Sequence, residues 1–491
     1  MTLVVVPIHA ATHAGLLAHA DEAKSAGADL VEVRLDLCFA AGMTVDTAVG
    51  AGSDLPLPFM ATLRHRDEGG SWSGSEADRR SIYERMPQAG WVDIEAARFT
   101  DAAWNGFRPS GKLVLSLHDF QGMGGDLAER VRGMYTLGAE VAKLAVTAKD
   151  GHDLAAIERV LRWNQRPLIA IAMGEHGLPS RLLAGVWGAA MTFARLPSGG
   201  TAPGQPTVQE VLGLYHLRRQ GPNTRIYGVI GSPISHSLSP VIHNCAIDHT
   251  GLDAVYVPFR VEDAQHFWQS CGSWIAGLSV TLPHKEALPP LMDRLEDLAV
   301  ASGAMNTVYR ERGQVVGANT DAAAIAHCLE HQLGSLAGRR VLVLGAGGVA
   351  RAAALSCHSA GAAVAIANRT ADRARALAAS VGATAVPWDQ AVEIDYDVLI
   401  NGTSVGMRKD GNDPDDSPWP AQAHRAGTTA FDTVYVPLET RFLKEAHRAG
   451  CRTLSGLDMF IAQADGQFHR WFGHHAPTAQ MRRAALERLS I

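Results

Sequence analysis

The sequence predicts an α/β protein: an N-terminal (β/α)8 barrel followed by two further α/β domains, the last a Rossmann-type dinucleotide-binding domain. Three observations carry this. Residues 1–215 alternate short aliphatic runs with Ala/Leu-rich stretches eight times, and eight alternating units without reversal favour a closed parallel barrel. A glycine-rich loop follows an apolar run within residues 339–356. The length of 491 residues corresponds to about three domains.

In the first segment strands are expected at residues 3–8, 30–36, 58–65, 91–96, 112–119, 140–146, 167–173 and 190–196. The spacing, about 26 residues per unit, suits a barrel. An open doubly wound sheet shares the alternation and is the competing architecture. Side chains at i, i+2 and i+4 share a strand face. Glu32, Arg34 and Asp36 therefore face one way, as do Thr62 with Arg64, Asp93 with Glu95, and Ser116 with His118, while Lys143 interrupts the apolar run EVAKLAV. Most stand toward the C-terminal ends of their strands, where barrel enzymes place catalysis. For any one of them a rim salt bridge is the plainer explanation. Charge on five of eight strands is harder to explain that way, because a buried charge is costly unless it is paired or used.

The polar stretch HLRRQGPNTR (216–225) reads as a linker, and IYGVIG (226–231) starts a second α/β block that runs to about residue 335. The expected domains are 1–217, 226–335 together with two C-terminal helices in 456–491, and 336–455. Pro477 falls near the start of the second of those helices.

VLVLGAGGVARAAA is a strand, a Gly345-x-Gly347-x-x-Ala350 turn and a helix. Gly345 allows the tight turn, Gly347 lets backbone N–H groups approach a pyrophosphate, and Ala350 supplies the small third position. The loop Gly345, Ala346, Gly347, Gly348, Val349, Ala350 is thus a candidate cofactor site. A tight turn without a ligand is the alternative. NAD sites place an acid at the end of the next strand; here Asn368, Arg369 and Thr370 stand there. A guanidinium can bind a 2′-phosphate that a carboxylate would repel, so NADP is preferred.

In the second block ISHSLSP places Ser235, Ser237 and Ser239 between a strand and a helix, where they cap the helix or bind a polar ligand. GLSVTLPHKEA sets Ser279 and Thr281 on one strand face, and Pro283 ends the strand. Lys285 is expected in the first turn of the next helix, where it opposes the macrodipole and needs a reason. Asn306 and Asp321 follow. A Lys–Asp pair near a nicotinamide could protonate a carbonyl receiving hydride.

Composition narrows the remaining classes. Forty-four Lys and Arg against 50 Asp and Glu give a net charge of −6, which argues against nucleic acid as a partner. Six scattered cysteines without a CxxC pair form neither a disulfide framework nor a zinc site, so no metal is expected and a reducing, cytoplasmic setting is. No membrane span is expected, because no apolar run of about 18 residues occurs. The start MTLVVVPIHA reads as a strand, not a signal peptide.

With VEVRLD, LRHRDEGG, LHDF, the Lys143 strand, PSR and TAPGQ, residues 1–215 resemble type I 3-dehydroquinate dehydratase. With ISHSLSP, SVTLPHK, AMNTV, NTD, GAGGVAR, NRT and NGTSVGM, residues 226–491 resemble shikimate dehydrogenase. In this order, and with SGLDMFIAQADGQF near the end, the chain is similar to the plant-type bifunctional fusion of the two. The resemblance implies that Lys143 forms a Schiff base with 3-dehydroquinate, that His118 is the general base and later the acid, and that Glu68 orients it. It implies that Arg181 binds the substrate carboxylate and that Glu32, Arg34, Arg64, Thr201 and Gln205 line the substrate. In the second half it implies that Ser237 and Ser239 take a carboxylate, and that Thr281, Asn306, Gln463 and Tyr435 serve the substrate ring. Lys285 and Asp321 would flank the reacting carbon, with Gly456 at the nicotinamide. The implied partners are 3-dehydroquinate, 3-dehydroshikimate, shikimate and NADPH, with no obligate protein partner. Ala322 and Ala324 depart from the family's glycines, Ser279 stands where many bacterial relatives have Asn, and Thr201 replaces a serine. Two other readings are a dehydrogenase half acting on quinate with NAD, and a regulatory pseudoenzyme. Arg369 and the Ser237/Ser239 pair oppose the first; the presence of Lys143, His118, Lys285 and Asp321 opposes the second.

Overall fold

Aliphatic runs such as LVVVPI, rich in β-branched residues, favour the pleated backbone and suit strands buried on both faces. The computed structural model, which describes residues 1–199, 204–408 and 413–489, places strands on all eight runs. They are β1 (Leu3–Ile8), β2 (Leu30–Arg34), β3 (Phe59–Thr62), β4 (Trp91–Glu95), β5 (Lys112–Asp119), β6 (Val141–Thr147), β7 (Leu168–Met173) and β8 (Met191–Phe193). The ladder is sequential, β7-β6-β5-β4-β3-β2-β1-β8, and the Ala190 N–H donates to the Leu168 carbonyl at 2.8 Å across the two end strands. The result is a nearly closed parallel barrel, not the open sheet.

The strand period of two builds the lumen in layers. Leu30, Met60, Val114, Val141, Ile169, Met191 and Phe193 belong to an apolar cluster. Two residues further along their strands stand Glu32, Thr62, Ser116 and Lys143, forming a polar layer directly above. Strands β2, β3, β4 and β8 end earlier than the sequence predicts. β2 stops at Arg34, so Asp36 leaves the strand and enters the short helix Leu35–Ala40. β3 stops at Thr62 because side chains take over its backbone: the Leu63 N–H donates to the Tyr83 hydroxyl at 2.8 Å and the His65 N–H to Glu95 at 2.9 Å. Tyr83 lies on the helix Glu76–Glu84, whose start is capped by Ser75 accepting from the Asp78 N–H.

Packing divides the chain into two compact units, residues 1–240 with 251–275, and residues 241–250 with 276–491. Besides the barrel, the first unit holds the parallel pair β9 (Arg225–Gly231) and β10 (Ala254–Arg260). Asp150, after β6, accepts from the Glu262 and Asp263 N–H groups at 3.0 Å each and so ties that pair to the barrel.

In the second unit β11 (Ile275–Val280) runs antiparallel to β13 (Thr307–Glu311), β13 antiparallel to β14 (Gln314–Ala318), and β14 parallel to the short β12 (Arg294–Leu295). Its other sheet contains β15 (Arg340–Leu344), β16 (Ala363–Ala367), β17 (Thr384–Val386), β18 (Val398–Asn401), β19 (Thr429–Asp432) and β20 (Arg452–Leu454). All are parallel in the order β17-β16-β15-β18-β19-β20. This is the doubly wound nucleotide-binding order, with its switch point between β15 and β18. The tail forms two helices, Gly456–Phe472 and Thr478–Leu489.

Tyr83 joins β3 to β4, since its hydroxyl also donates to the Asp93 carbonyl at 2.8 Å. Replacing Tyr83 by Phe strands a buried N–H and a buried C=O. We expect a loss of about 1–3 kcal/mol, read as a lowered midpoint in urea denaturation.

Candidate active sites

The polar layer of the barrel is a continuous network of buried charge. Lys143 Nζ lies 2.8 Å from Asp93 Oδ2 and 3.1 Å from Glu32 Oε1, and 4.5 Å from the centre of the Phe193 ring. Arg64 pairs with the other Asp93 oxygen at 2.8 Å and with Glu95 at 3.0 Å. Ser116 accepts from Arg64 at 2.7 Å and donates to Asp93 at 2.6 Å, while Thr62 donates to Glu32 at 3.0 Å. Asp93 has no exposed surface. Burial by itself would raise its pKa, but Arg64 and Lys143 hold the carboxyl well below the usual range.

At the end of β5, His118 Nδ1 is 3.0 Å from Glu68 Oε2, and the His118 N–H donates to the same oxygen at 2.9 Å. Burial pushes Glu68 up to about 7, against the pull of Arg64 and with Glu95 adding to the rise. Burial, then Arg64 and Lys143, push His118 well below its ordinary value. The imidazole is therefore neutral near pH 7, its Nδ1 engaged by Glu68 and its Nε2 left to act as a base.

Arg34 is held by Asp36 through two contacts, at 2.9 and 2.8 Å. Arg181 is buried and donates only to the Phe193 carbonyl at 3.3 Å, and among the described residues it has no carboxylate within ion-pair distance. Burial lowers its pKa to about 10, partly offset by Glu32. Gln205 is buried, and its Oε1 has no hydrogen-bond partner among the described residues. A buried guanidinium without a carboxylate suits a ligand carboxylate, and an unpartnered amide oxygen suits a hydroxyl donor. Thr201 lies outside the described residues.

The second unit carries a cleft of about 1120 Å³ lined by Gly345, Ala346, Gly347, Gly348, Val349, Asn368 and Arg369. Gly345 adopts φ 108°, where a Cβ would also lie 3.0 Å from the Gly402 carbonyl oxygen. A Cβ at Gly347 would meet nothing, so the backbone at the start of the helix Gly348–Ser359 is left open. These features fit a pyrophosphate at a helix N-terminus. Ala350 and Thr370 do not line the cleft. Ala350 packs so closely on Gly402 that a Cβ there would stand 2.8 Å from its own. Gly456 packs on the backbone of residues 433–434, directly behind the lining residue Thr433, which leaves no room for a Cβ. Trp388, Thr403, Ser404 and Val405 line the cleft without having been singled out; the NGTSVGM motif was the available signal for the last three.

Lys285 Nζ and Asp321 Oδ2 are 2.6 Å apart. The expected α-helical first turn around Lys285 is instead a single 3-10 turn, His284–Glu286, so little macrodipole opposes it, and the lysine is held by its carboxylate. Asp321 occupies the first turn of the helix Thr320–Leu333, where the dipole favours an anion. Ala322 and Ala324 are buried in the core. Asn306 holds that helix start, accepting from the Thr320 N–H at 2.7 Å and donating to the Thr320 hydroxyl at 2.9 Å. Thr281 is half-buried. Gln463 donates to the Phe460 carbonyl at 2.9 Å, and Tyr435 stacks on Phe460 at 5.1 Å, with burial raising its pKa. Gln467, which sequence reasoning passed over, accepts from Ser279 at 2.9 Å and donates to the Asn306 carbonyl at 3.1 Å. Ser237 and Ser239 lie in the first unit, where Ser237 Oγ accepts from the Ser239 N–H at 3.3 Å. Among the described residues no acid–thiol–imidazole group is placed to hold a metal ion, and no helix is long and apolar enough to cross a membrane.

Comparison with known proteins matches residues 4–222 to type I 3-dehydroquinase and 229–308 to the shikimate dehydrogenase substrate binding domain. Residues 327–406 match shikimate/quinate 5-dehydrogenase, and 456–486 the shikimate 5′-dehydrogenase C-terminal domain. The chloroplastic bifunctional 3-dehydroquinate dehydratase/shikimate dehydrogenase of Arabidopsis thaliana is 36% identical over 97% of this chain and 83% of its own length. Shikimate dehydrogenase (NADP(+)) of Pelobacter propionicus is 42% identical over 52% of this chain and 93% of its own. A shikimate dehydrogenase crystallised with NADP+ superposes with a TM-score of 0.52 at 32% identity, covering 55% of this chain and 97% of that one.

Proposed function

The chain belongs to the bifunctional 3-dehydroquinate dehydratase/shikimate dehydrogenase family, and from that membership we propose that it performs the two reactions in succession. The barrel removes water from 3-dehydroquinate, and the second half reduces the resulting 3-dehydroshikimate to shikimate with NADPH. The observation that carries this is a pair of separate lysine–carboxylate centres, Lys143 with Asp93 and Glu32, and Lys285 with Asp321.

In the barrel the Lys143 amine adds to the substrate ketone and water leaves, giving an iminium that acidifies the adjacent carbon. Neutral His118 takes that proton, with Glu68 fixing its Nδ1, and returns it to the departing hydroxyl. Hydrolysis of the iminium then frees Lys143. Arg181 meets the substrate carboxylate, and Glu32, Arg34, Arg64, Thr201 and Gln205 meet its hydroxyls. In the second half NADPH, when bound, supplies hydride to the carbonyl. The loop from Gly345 to Val349 holds its pyrophosphate and Arg369 its 2′-phosphate, with Asn368, Thr370, Ala350 and Gly456 shaping the surroundings. Asp389 also lines the cleft, but it follows β17, not β16, whose end is where NAD sites carry their acid. Lys285 protonates the carbonyl oxygen and Asp321 keeps the ammonium in place. Ser237 and Ser239 take the carboxylate, and Thr281, Asn306, Tyr435 and Gln463 orient the ring. The domains are those read from the sequence, 1–217, 226–335 with 456–491, and 336–455. The setting is a reducing cytoplasm, in keeping with six free cysteines.

Borohydride added with 3-dehydroquinate should trap a reduced adduct on Lys143, seen as a mass increase on its peptide; an unmodified Lys143 refutes the Schiff base. Because burial pushes Glu68 up to about 7 and only its ionised form offsets the positive charge His118 gains on taking the proton, dehydratase kcat/KM should fall as pH drops through about 7. Glu68→Gln should remove that limb and lower the plateau; an unchanged profile removes Glu68 from its role. Arg369→Ala should raise the KM for NADPH at least about tenfold while leaving NADH nearly unaffected, as for a lost charge-assisted phosphate contact. Dominant NAD-dependent quinate turnover would overturn the shikimate reading of this half.

A further inference from the structure

Arg79 is a fully buried cation that the dehydration steps above do not use. It lies on the helix Glu76–Glu84, which follows β3 and packs on the outside of the barrel wall. Its guanidinium pairs with Glu95 Oε2 and stands 3.3 Å from Glu76 Oε2. Trp104 Nε1 donates to that same Glu76 oxygen at 3.0 Å, and the guanidinium carbon is 5.9 Å from the Trp104 ring centre. Arg79 Nε is buried and has no hydrogen-bond partner among the described residues. An ion pair of this kind contributes little stability, since well-packed apolar residues of similar volume often serve as well or better. The reason for the charge is to be sought in what Glu95 holds.

The other Glu95 oxygen accepts from Arg64 at 3.0 Å and from the His65 N–H at 2.9 Å. Arg64 lines the proposed substrate site. His65 roots the turn that carries Glu68: its carbonyl accepts from the Glu68 and Gly70 N–H groups at 3.0 Å each, and Glu68 holds His118. We propose that Arg79 is a positioning residue for the dehydratase, clamping Glu95 from behind the barrel wall so that Glu95 fixes both Arg64 and the Glu68 turn. The charged and titratable groups facing Glu95 are Arg64, Arg79, Asp93, Glu68 and Tyr83. Burial raises the Glu95 carboxyl, while Arg64 and Arg79 pull it below its ordinary value. Without Arg79, Glu95 keeps Arg64, which it shares with Asp93, as its one cationic partner among the described residues, beside the His65 N–H and against two neighbouring carboxylates. Its protonation then moves to higher pH, and a protonated Glu95 loses its ionic hold on Arg64 and weakens its hydrogen bond from the His65 N–H.

The test uses the full chain with Arg79→Gln and Arg79→Lys. Dehydratase kcat and KM are followed against pH, and dehydrogenase turnover and near-ultraviolet circular dichroism of the same samples report folding. The glutamine variant should lose at least about tenfold in kcat/KM, as expected when reacting groups are misplaced, with a second protonation, that of Glu95, steepening the acidic limb that Glu68 sets. The lysine variant should keep the wild-type limb and recover part of the rate. A folded glutamine variant with wild-type kcat/KM and limb overturns the proposal, as does equal loss in both variants at an unsteepened limb, which marks a packing role alone. Should the glutamine variant not fold, Arg79→Met, which keeps packing volume without the charge, is read in the same way: a loss in kcat/KM with the steepened limb supports the proposal, and wild-type kcat/KM and limb overturn it. The proposal rests on the dehydratase reading, which wild-type protein tests separately. No turnover of 3-dehydroquinate by the wild type overturns that reading, whereas turnover by the wild type and unaffected variants overturns the Arg79 role alone.

Discussion

The Asp93 carboxylate, shared by Lys143 and Arg64 with no access to solvent, is the interaction on which the barrel depends. Taking an ion out of water costs several kcal/mol even in a relaxed protein interior, and only close, multiply hydrogen-bonded partners offset it. Those partners arrive on different strands. Thr62 is in register with Asp93, Glu95 with Ser116, and Ser116 with Lys143. A slip of one residue between any two strands would turn one partner to the outer face and leave a bare charge in the lumen. The register of the sheet and the geometry of the polar layer are therefore one constraint. The same network explains the electrostatic contrast nearby. Burial, helped by Arg64 and Lys143, keeps His118 neutral, while burial makes Glu68 a weak acid poised near neutrality.

The second unit builds its cofactor cleft by leaving side chains out. Gly402 and Ala350 let the helix Gly348–Ser359 settle against the end of β18, Gly345 turns the chain in the left-handed region, and Gly347 leaves its backbone uncovered. The result is a set of backbone donors at a helix start, close to the switch point of the sheet. Charge enters the cleft lining at Arg369, Asp389, Asp416, Arg441 and Glu445, and the unit also holds the Lys285–Asp321 pair, whose aspartate gains from the dipole of its own helix. The barrel thus depends on buried counter-charges, and the reductase half on close backbone approach.

Much of this was legible beforehand because it is written in local periods. Alternation of two, interrupted by charge in β2 to β6, exposed the polar layer, and the strand–glycine–helix pattern exposed the cleft. Where reading failed, a three-dimensional partner had replaced a local rule. β3 ends early because Tyr83 and Glu95 take over its backbone, and Asp36 leaves the strand face yet keeps Arg34. Lys285 sits in a 3-10 turn, not an α-helix.

The amino-acid order alone determined the architecture, the layer in which charge would stand, and the choice of residue types for each chemistry, because strand and helix periods assign side chains to faces without knowledge of neighbours. The tertiary structure decided which charges meet. Asp93 between Lys143 and Arg64, Glu68 on His118, and Arg79 reaching Glu95 through the wall are pairings across 16 to 50 residues of chain. Electrostatic pairing depends on distance in space and on exclusion of water, and neither exists until the barrel closes.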